Sequence, residues 1–332
     1  MDWMTRRKQT HEVPRVGSIS VNLEAYLGDH YVPGMEMQLN RETLYQTALP
    51  RILSFFDALQ VRVTFFVVGK DVEDPYVQKA LKDVVARGHE VASLSYSHAP
   101  NLRRWSKLSV AEEIEQSAQA IKQAIGVMPS GFRTPGYNVD TRILQLLAER
   151  GYKYDASVLP SLPYYLIKGG VSSISALIRG KHDTTKLAVH SLKAPLRPYR
   201  PSRWAFWKEG DRKHSLPIWE IPVGVVRGVG APLTGALITT TQPPVLRALA
   251  KALKSRQYSA HLTLHAMDFL DSNDEQISGA FRKMRANMRL SHRTKTHRMR
   301  VYIEEMKRDV RIVTLDELAD QLTDYAGPTV LG

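Results

Sequence analysis

The sequence predicts an α/β fold in which a parallel sheet closes, or nearly closes, into a distorted (β/α) barrel with one irregular insertion. Two observations carry this expectation. Stretches with helical apolar spacing and stretches with strand alternation follow one another repeatedly, the rhythm of a parallel sheet joined by crossover helices. The chain has 332 residues, 43% of them hydrophobic, ample for one large core. The rhythm fails from Leu159, which places the insertion at residues 158–216. The expected organisation is an N-terminal arm over 1–15, the barrel over 16–322 and a C-terminal tail over 323–332.

Ser18 to Tyr26 alternates apolar and polar residues as a first core strand, with Asn22 and Glu24 on its polar side and a loop containing Asp29 and His30 after it. Leu44 to Gln60 has a helical stripe of Leu49, Leu53, Phe56 and Leu59, and runs into a buried strand from Val61 to Lys70 whose Phe65 and Phe66 are core. Asp74 to Arg87 is the next helix, with Pro75 suited to its first turn. Gly88 stops it and a strand follows to Ser95, which Ala99-Pro100-Asn101 breaks. His98 thus sits where a strand enters a loop, the edge at which α/β folds place chemistry. A strand with an ordinary polar cap has the same pattern, so the residues alone leave both open.

Ser109 and Glu112 have capping-box spacing at the head of a helix reaching Ile125. Gly131-Phe132-Arg133-Thr134-Pro135-Gly136-Tyr137 follows as a turn, then a helix from Thr141 to Arg150 and a strand from Tyr152 to Ser157. In the insertion, Tyr164, Tyr165, Tyr199, Trp204, Phe206 and Trp207 are interleaved with Lys193, Arg197, Arg200, Arg203 and Lys208. Structureless loops of this length are uncommon unless functional. The mixture suits a sugar, whose apolar face stacks on rings, or an anionic headgroup; an insertion packed on the barrel reads equally well. Ile218 to Arg227 returns to strand, Pro244 to Ser255 is helical, and His261 to Leu270 alternates before a polar end at His265 and Asp268. Phe281 to Asp309 reads as one or two amphipathic helices with basic outer faces, and Arg311 to Ala319 as a closing strand and helix.

The chain has no cysteine, so disulfides, zinc ribbons and thiol nucleophiles are excluded and any metal must rest on His, carboxylates and water. The formal charge of +13 invites nucleic acid, anionic membrane and acidic glycans. No zinc finger, aromatic RNA-binding signature or phosphate loop accompanies it, which weighs against nucleic acid. The charged N-terminus lacks the apolar run of a secretory signal, and no apolar stretch reaches membrane-spanning length. The expected location is the cytoplasm, with the basic C-terminal region attracted to an anionic membrane surface.

Several of these stretches together resemble the polysaccharide deacetylases, carbohydrate esterase family 4. Gly88-His89-Glu90-Val91-Ala92-Ser93-Leu94-Ser95-Tyr96-Ser97-His98 is similar to the family's Gly-His-Glu-Ile-Ala-Ser-His-Gly-Tyr-Ser-His. Thr64-Phe65-Phe66-Val67, Gly131-Phe132-Arg133-Thr134-Pro135, Glu220-Ile221-Pro222-Val223 and Leu264-His265 resemble its other motifs in the family's order. The resemblance covers about residues 16–322 and implies the deacetylase type of (β/α) barrel.

It also implies a divalent metal, commonly zinc, a carboxylate base, and a histidine acid. Carried over position by position, Asn22 stands at the base, Glu24 and His98 at metal ligands, Arg133 at the arginine that closes over the mouth and pairs with a carboxylate, and His265 at the general acid. Asp268 would orient His265 or lie on the rim. Leu94 falls on the remaining ligand position and has no lone pair to offer; His30 is the candidate substitute. The implied activity is removal of an acyl group from an amide nitrogen on a carbohydrate or glycolipid. Two alternatives are a catalytically inactive member that binds glycan or lipid-linked sugar, and a basic membrane-surface or nucleic-acid-binding protein that shares only the fold.

Overall fold

The computed structural model describes residues 15–24, 41–99, 101–169, 189–252, 260–274 and 286–326. In chain order the first elements are β1 (Val16–Leu23), a π-helical turn over Thr43–Ala48 leading into α1 (Leu49–Leu59), β2 (Thr64–Val67), α2 (Pro75–Ala86) and β3 (Glu90–Ser93). Then come α3 (Lys107–Ile125), β4 (Gly131–Phe132), α4 (Thr141–Glu149), β5 (Tyr154–Asp155) and α5 (Leu162–Gly169). A two-stranded ribbon, β6 (Pro201–Ser202) and β7 (Ala205–Glu209), precedes β8 (Trp219–Glu220). The chain continues through α6 (Gly235–Thr240), α7 (Pro243–Lys251), β9 (His261–His265), α8 (His292–Lys307), β10 (Arg311–Val313) and α9 (Leu315–Ala326).

Eight strands form one parallel sheet in the order β10-β1-β2-β3-β4-β5-β8, with β9 also on β1. Beyond β8, the Gly224 N–H donates to the His261 carbonyl at 2.9 Å, so the two ends of the sheet meet. This is the distorted barrel that the alternation predicted. β1 is its centre. Along one edge it pairs with β9 from Ser18 to Asn22; the other edge is divided between β10, at Val16 to Ser18, and β2, at Ser20 to Leu23.

Strands buried on both faces are what a parallel sheet covered by helices requires. The period of two then sorts the residues. Ile19, Val21, Leu23 and Phe65 pack outward into a core with α1 and α8, while Phe66, Val68, Ala92, Leu94, Tyr154, Ala156 and Ile221 form a separate apolar filling. Ser20 and Asn22 point to the same interior. At the end away from β1's Asn22, Thr64 and Tyr154 both donate to the Glu90 carboxylate, at 2.6 Å each.

Three local expectations need correction. α3 starts at Lys107 and not at Ser109, because Ser106 takes the extended backbone of a cap and its hydroxyl accepts from the Ser109 N–H at 3.0 Å. The insertion is not irregular throughout: Tyr199 and Phe206 are buried in a core with Ile143, Leu147 and Tyr152, and the Tyr199 hydroxyl donates to the Phe206 carbonyl at 2.6 Å. Residues 170–188 lie outside the described part. The basic helix α8 does not keep all its cations outside, since Lys295 is fully buried and its ammonium donates to the Met267 carbonyl at 3.1 Å. Burial pushes that ammonium down to about 8.

The close approach of β4 and β5 depends on the missing side chain of Gly131, where a Cβ would lie 1.9 Å from Cζ of Tyr154. Gly131→Ala is expected to displace the Tyr154 ring and its bond to Glu90, at a cost of roughly 3 kcal/mol, the upper part of the overpacking range. Urea unfolding checks this; a midpoint equal to wild type would contradict the packing described.

Candidate active site

The parallel register of β1 and β9 sets Asn22 beside His265, Ser20 beside Thr263 and Ser18 beside His261. Period-two alternation carries Ser20, Asn22 and Glu24 up one face of β1, and His261 and His265 up the same face of β9. The polar residues therefore stack inside the barrel and emerge at the C-terminal ends of the strands, the end at which barrel enzymes gather their chemistry.

Glu24 is the meeting point. One carboxylate oxygen lies 2.7 Å from Nε2 of His98 and the other 3.3 Å from Nε2 of His265. The side chains of His98 and Glu24 are 7% and 11% exposed and that of His265 is 22% exposed, so the cluster opens on the His265 side. His98 reaches Glu24 from a backbone at φ +57°, and Ser95 on the same connection stands at φ +62°. Left-handed conformations cost energy in residues with a Cβ and persist where surrounding structure imposes them, often at functional sites.

Below this cluster lies Arg133, fully buried. Its guanidinium donates to the Ala156 carbonyl (2.8 Å), the Ser20 hydroxyl (3.0 Å) and the Asn22 side-chain oxygen (2.7 Å), and stands 4.0 Å over the Phe66 ring. This corrects the expected role. Arg133 does not close over the mouth and its hydrogen bonds reach no carboxylate among the described residues; with Asn at position 22, it holds an amide from beneath. The charge is compensated at longer range by Asp155 and Glu24, while burial pulls the guanidinium below its ordinary value. Asp155 itself is paired with Glu220 in the interior. Burial raises both carboxyls; the Asp155 charge and hydrogen bond raise Glu220 further, whereas hydrogen bonds from Glu220 and Ser157 oppose the rise at Asp155, so Glu220 holds the shared proton.

The fourth acceptor near Arg133 is His261, whose Nε2 lies 3.3 Å from the guanidinium and 2.9 Å from the Ser20 hydroxyl. Arginine has only donors, so this nitrogen must accept and the ring must be neutral. Burial first, and Arg133 next, push its pKa down to about 3. The signal for His261 is its place four residues before His265 on one strand, and hence on the same face.

Asp268 does not lie on the rim, since it is 1% exposed. One oxygen accepts the backbone N–H of His265 at 2.9 Å and the other the Asn287 amide at 2.9 Å, and a capping box joins His265 and Asp268 at the head of the turn Ala266–Phe269. It positions the residue that carries the imidazole. Gly235 leaves room for it, as a Cβ there would stand 1.7 Å from its carboxylate oxygen. Neither Gly235 nor Asn287 gave a signal in the sequence.

The donor set does not complete a zinc site among the described residues. Zinc in enzymes ordinarily takes three protein ligands and an open position. Glu24 and His98 come together as the resemblance implied, but Leu94 is fully buried within the apolar filling, and no group of three His, Cys, Asp or Glu among the described residues is arranged to hold a metal. His30, the candidate substitute, lies outside the described residues.

Comparison with known proteins bears on part of this site, since the matched residues include His98 and Arg133 but not Glu24 or His265. Residues 36–154 match the family model described as polysaccharide deacetylase. A peptidoglycan deacetylase of Helicobacter pylori is 29% identical over 126 residues, which are 37% of this chain and 42% of that protein. Chitin deacetylase 1 of Cryptococcus neoformans is 28% identical over 102 residues, 31% of this chain and 21% of that protein. The chain thus spans less than half the length of these curated relatives. Among solved structures, a Mycobacterium smegmatis protein of the polysaccharide deacetylase type superposes with a TM-score of 0.60 at 17% identity, over 97% of this chain and 95% of that one. Puue allantoinase superposes with a TM-score of 0.56 at 13% identity, over 97% of each chain. The structural likeness establishes the barrel, and the sequence likeness to polysaccharide deacetylases lies within residues 36–154.

The neutral His261 has a measurable consequence. Its folded pKa of about 3 lies below the unfolded value of about 6.5, so between these pH values the unfolded chain binds one proton more and stability falls as pH falls. His261→Gln, which keeps an acceptor for Arg133, is expected to lose less stability than wild type between pH 7 and pH 5. Urea midpoints at the two pH values test this, and equal losses would show that His261 is not held neutral.

Proposed function

We propose that this protein is a deacetylase-like hydrolase that removes an acyl group from an amide nitrogen on a carbohydrate or glycolipid, with Glu24, His98 and His265 as its working groups. The observation that carries the reading is the Glu24 carboxylate between two imidazoles at the mouth of the barrel. Glu24 accepts a proton from the attacking water, taking the part that the Asn22 amide is too weak a base to play. His265 delivers a proton to the departing amine from the more open side of the cluster. His98 fixes the orientation of Glu24, and Arg133 fixes Asn22 beneath it. Asp268 holds the backbone of His265.

Deacetylases of this family are generally dependent on divalent metal. Zinc, in this reading, would rest on Glu24 and His98 and draw a further ligand from outside the described residues, with His30 as candidate; the proton transfers above are written without it. The charge of +13 supports an anionic or membrane-linked glycan as substrate.

Asn22 at the base position and Leu94 at a ligand position favour a second reading, a member that binds glycan without turning it over. Acetate release from N-acetylated glycan oligomers, assayed with added zinc or cobalt, separates the two. The expected result is release that falls about 10²- to 10⁴-fold in Glu24→Gln and in His265→Ala. Binding without release would establish the second reading in its place.

Zinc content gives an independent check on the ligand position. Leu94→His, with a ring of similar bulk facing the same interior, is expected to retain zinc through dialysis better than wild type. Equal retention would show that position 94 is not the missing ligand.

A further inference from the structure

The structure divides the aromatic residues of the insertion into those it uses and one it does not. Tyr199, Phe206 and Tyr165 are buried, at 0%, 3% and 8% exposure. Tyr164 packs edge-on against Tyr137, and Trp207 is stacked on His190 with ring centroids 3.5 Å apart. Trp204 is 70% exposed. It stands at the tip of the β6–β7 ribbon, where Ser202 pairs with Ala205 and only Arg203 and Trp204 make the connection. Such connections favour Asn-Gly or Asp-Gly, so nothing in the turn itself calls for Arg-Trp.

The tip is held firmly. The Arg203 N–H donates to the His214 carbonyl at 2.9 Å, the Arg203 carbonyl accepts the Gln145 amide at 2.8 Å, and the Phe206 N–H donates to the Thr141 hydroxyl at 3.0 Å. The His214 ring lies 4.9 Å from the indole at a tilt of 41°, which leaves most of the indole surface to solvent. Thr141 and Gln145 belong to the first two turns of α4, which begins a few residues after Arg133 and so lies at the barrel's mouth end. The same helix holds a second tryptophan. Arg142 donates to the carbonyls of Arg103 and Trp105, at 2.7 and 2.8 Å, and Trp105 is 37% exposed on the connection that leaves His98.

We propose that Trp204, with Arg203 beside it and Trp105 toward the mouth, forms a distal subsite for a glycan chain whose reacting residue lies at Glu24 and His265. The proposal rests on the carbohydrate reading above. A rigid ring with an open surface is a platform for the apolar face of a pyranose, and Arg203 supplies donors for hydroxyl or acidic substituents at its edge. Anchoring on α4 gives the platform a fixed offset from the mouth. The subsite therefore recognises chain length: an oligomer long enough to span from the mouth to the ribbon engages it, and a disaccharide does not.

Calorimetric titration of the full chain with the hexamer and the dimer of N-acetylglucosamine tests this. Wild type is expected to bind the hexamer at least about tenfold more tightly than the dimer. Trp204→Ala removes most of that advantage and leaves dimer affinity unchanged, and Trp204→Phe restores part of it. The exposed indole contributes little to packing, and circular dichroism confirms that the variants fold. Equal hexamer binding by wild type and Trp204→Ala, or no preference for the hexamer in wild type, would overturn the subsite and leave the carbohydrate reading standing. Binding of neither oligomer would overturn both.

Discussion

The interior of this barrel is organised by one buried positive charge. A guanidinium cannot be neutralised by giving up its proton, so enclosing Arg133 obliges the surrounding strands to supply acceptors. They do so from four directions: a carbonyl after β5, a hydroxyl and an amide oxygen on β1, and a ring nitrogen on β9. Each acceptor is fixed in turn by strand register. Asn22 and His261 therefore read most simply as groups that complete the coordination of Arg133. The polar column beneath the mouth is a support for the charge, and Glu24 and the two histidines stand on top of it.

The barrel was legible in the sequence because its signals are local and repeated. The stretches expected as strands, from the one opening at Ser18 to the one opening at Arg311, contain strands of the sheet, and the helices between them show the spacing of their buried stripes. Asn22, Glu24, His98, Arg133 and His265 were legible too, and the fold gathers them about one point. What the sequence could not show was direction and depth. Whether Arg133 lies over the mouth or beneath it depends on how far β4 is set down inside the barrel. The Asp268 carboxylate turns to the backbone of His265 because Gly235, some thirty residues earlier, has no side chain in its way. The inward turn of Lys295, on a helix whose basic residues read as its outer face, likewise follows from packing against the turn after β9.

The site separates apolar from polar positions sharply. Leu94 takes its place in the apolar filling with Phe66 and Ala156, so that position belongs to the core. The hydrogen bonds around Glu24 show where polar contacts concentrate instead: both imidazoles converge on one carboxylate. The Glu24 carboxylate lies between two ring nitrogens, which is why the proposed acid–base reading centres on Glu24 and not on position 22.

The shared edge of β1 carries a consequence for how the molecule is made. Ser18 pairs with Val313 on one side and with His261 on the other, so the earliest strand finds two of its neighbours near the end of the chain. Contacts across such sequence separations are slow to form because a long loop must close first. On the ribosome, β1 can join β2 early, but its other edge stays open until β9 has been synthesised. The carboxylate of Glu24 meets His265 only then. The cluster at Glu24 is thus among the last features to assemble, and a chain ending before β9 would hold a partial barrel in which Glu24 lacks His265 and Arg133 lacks His261.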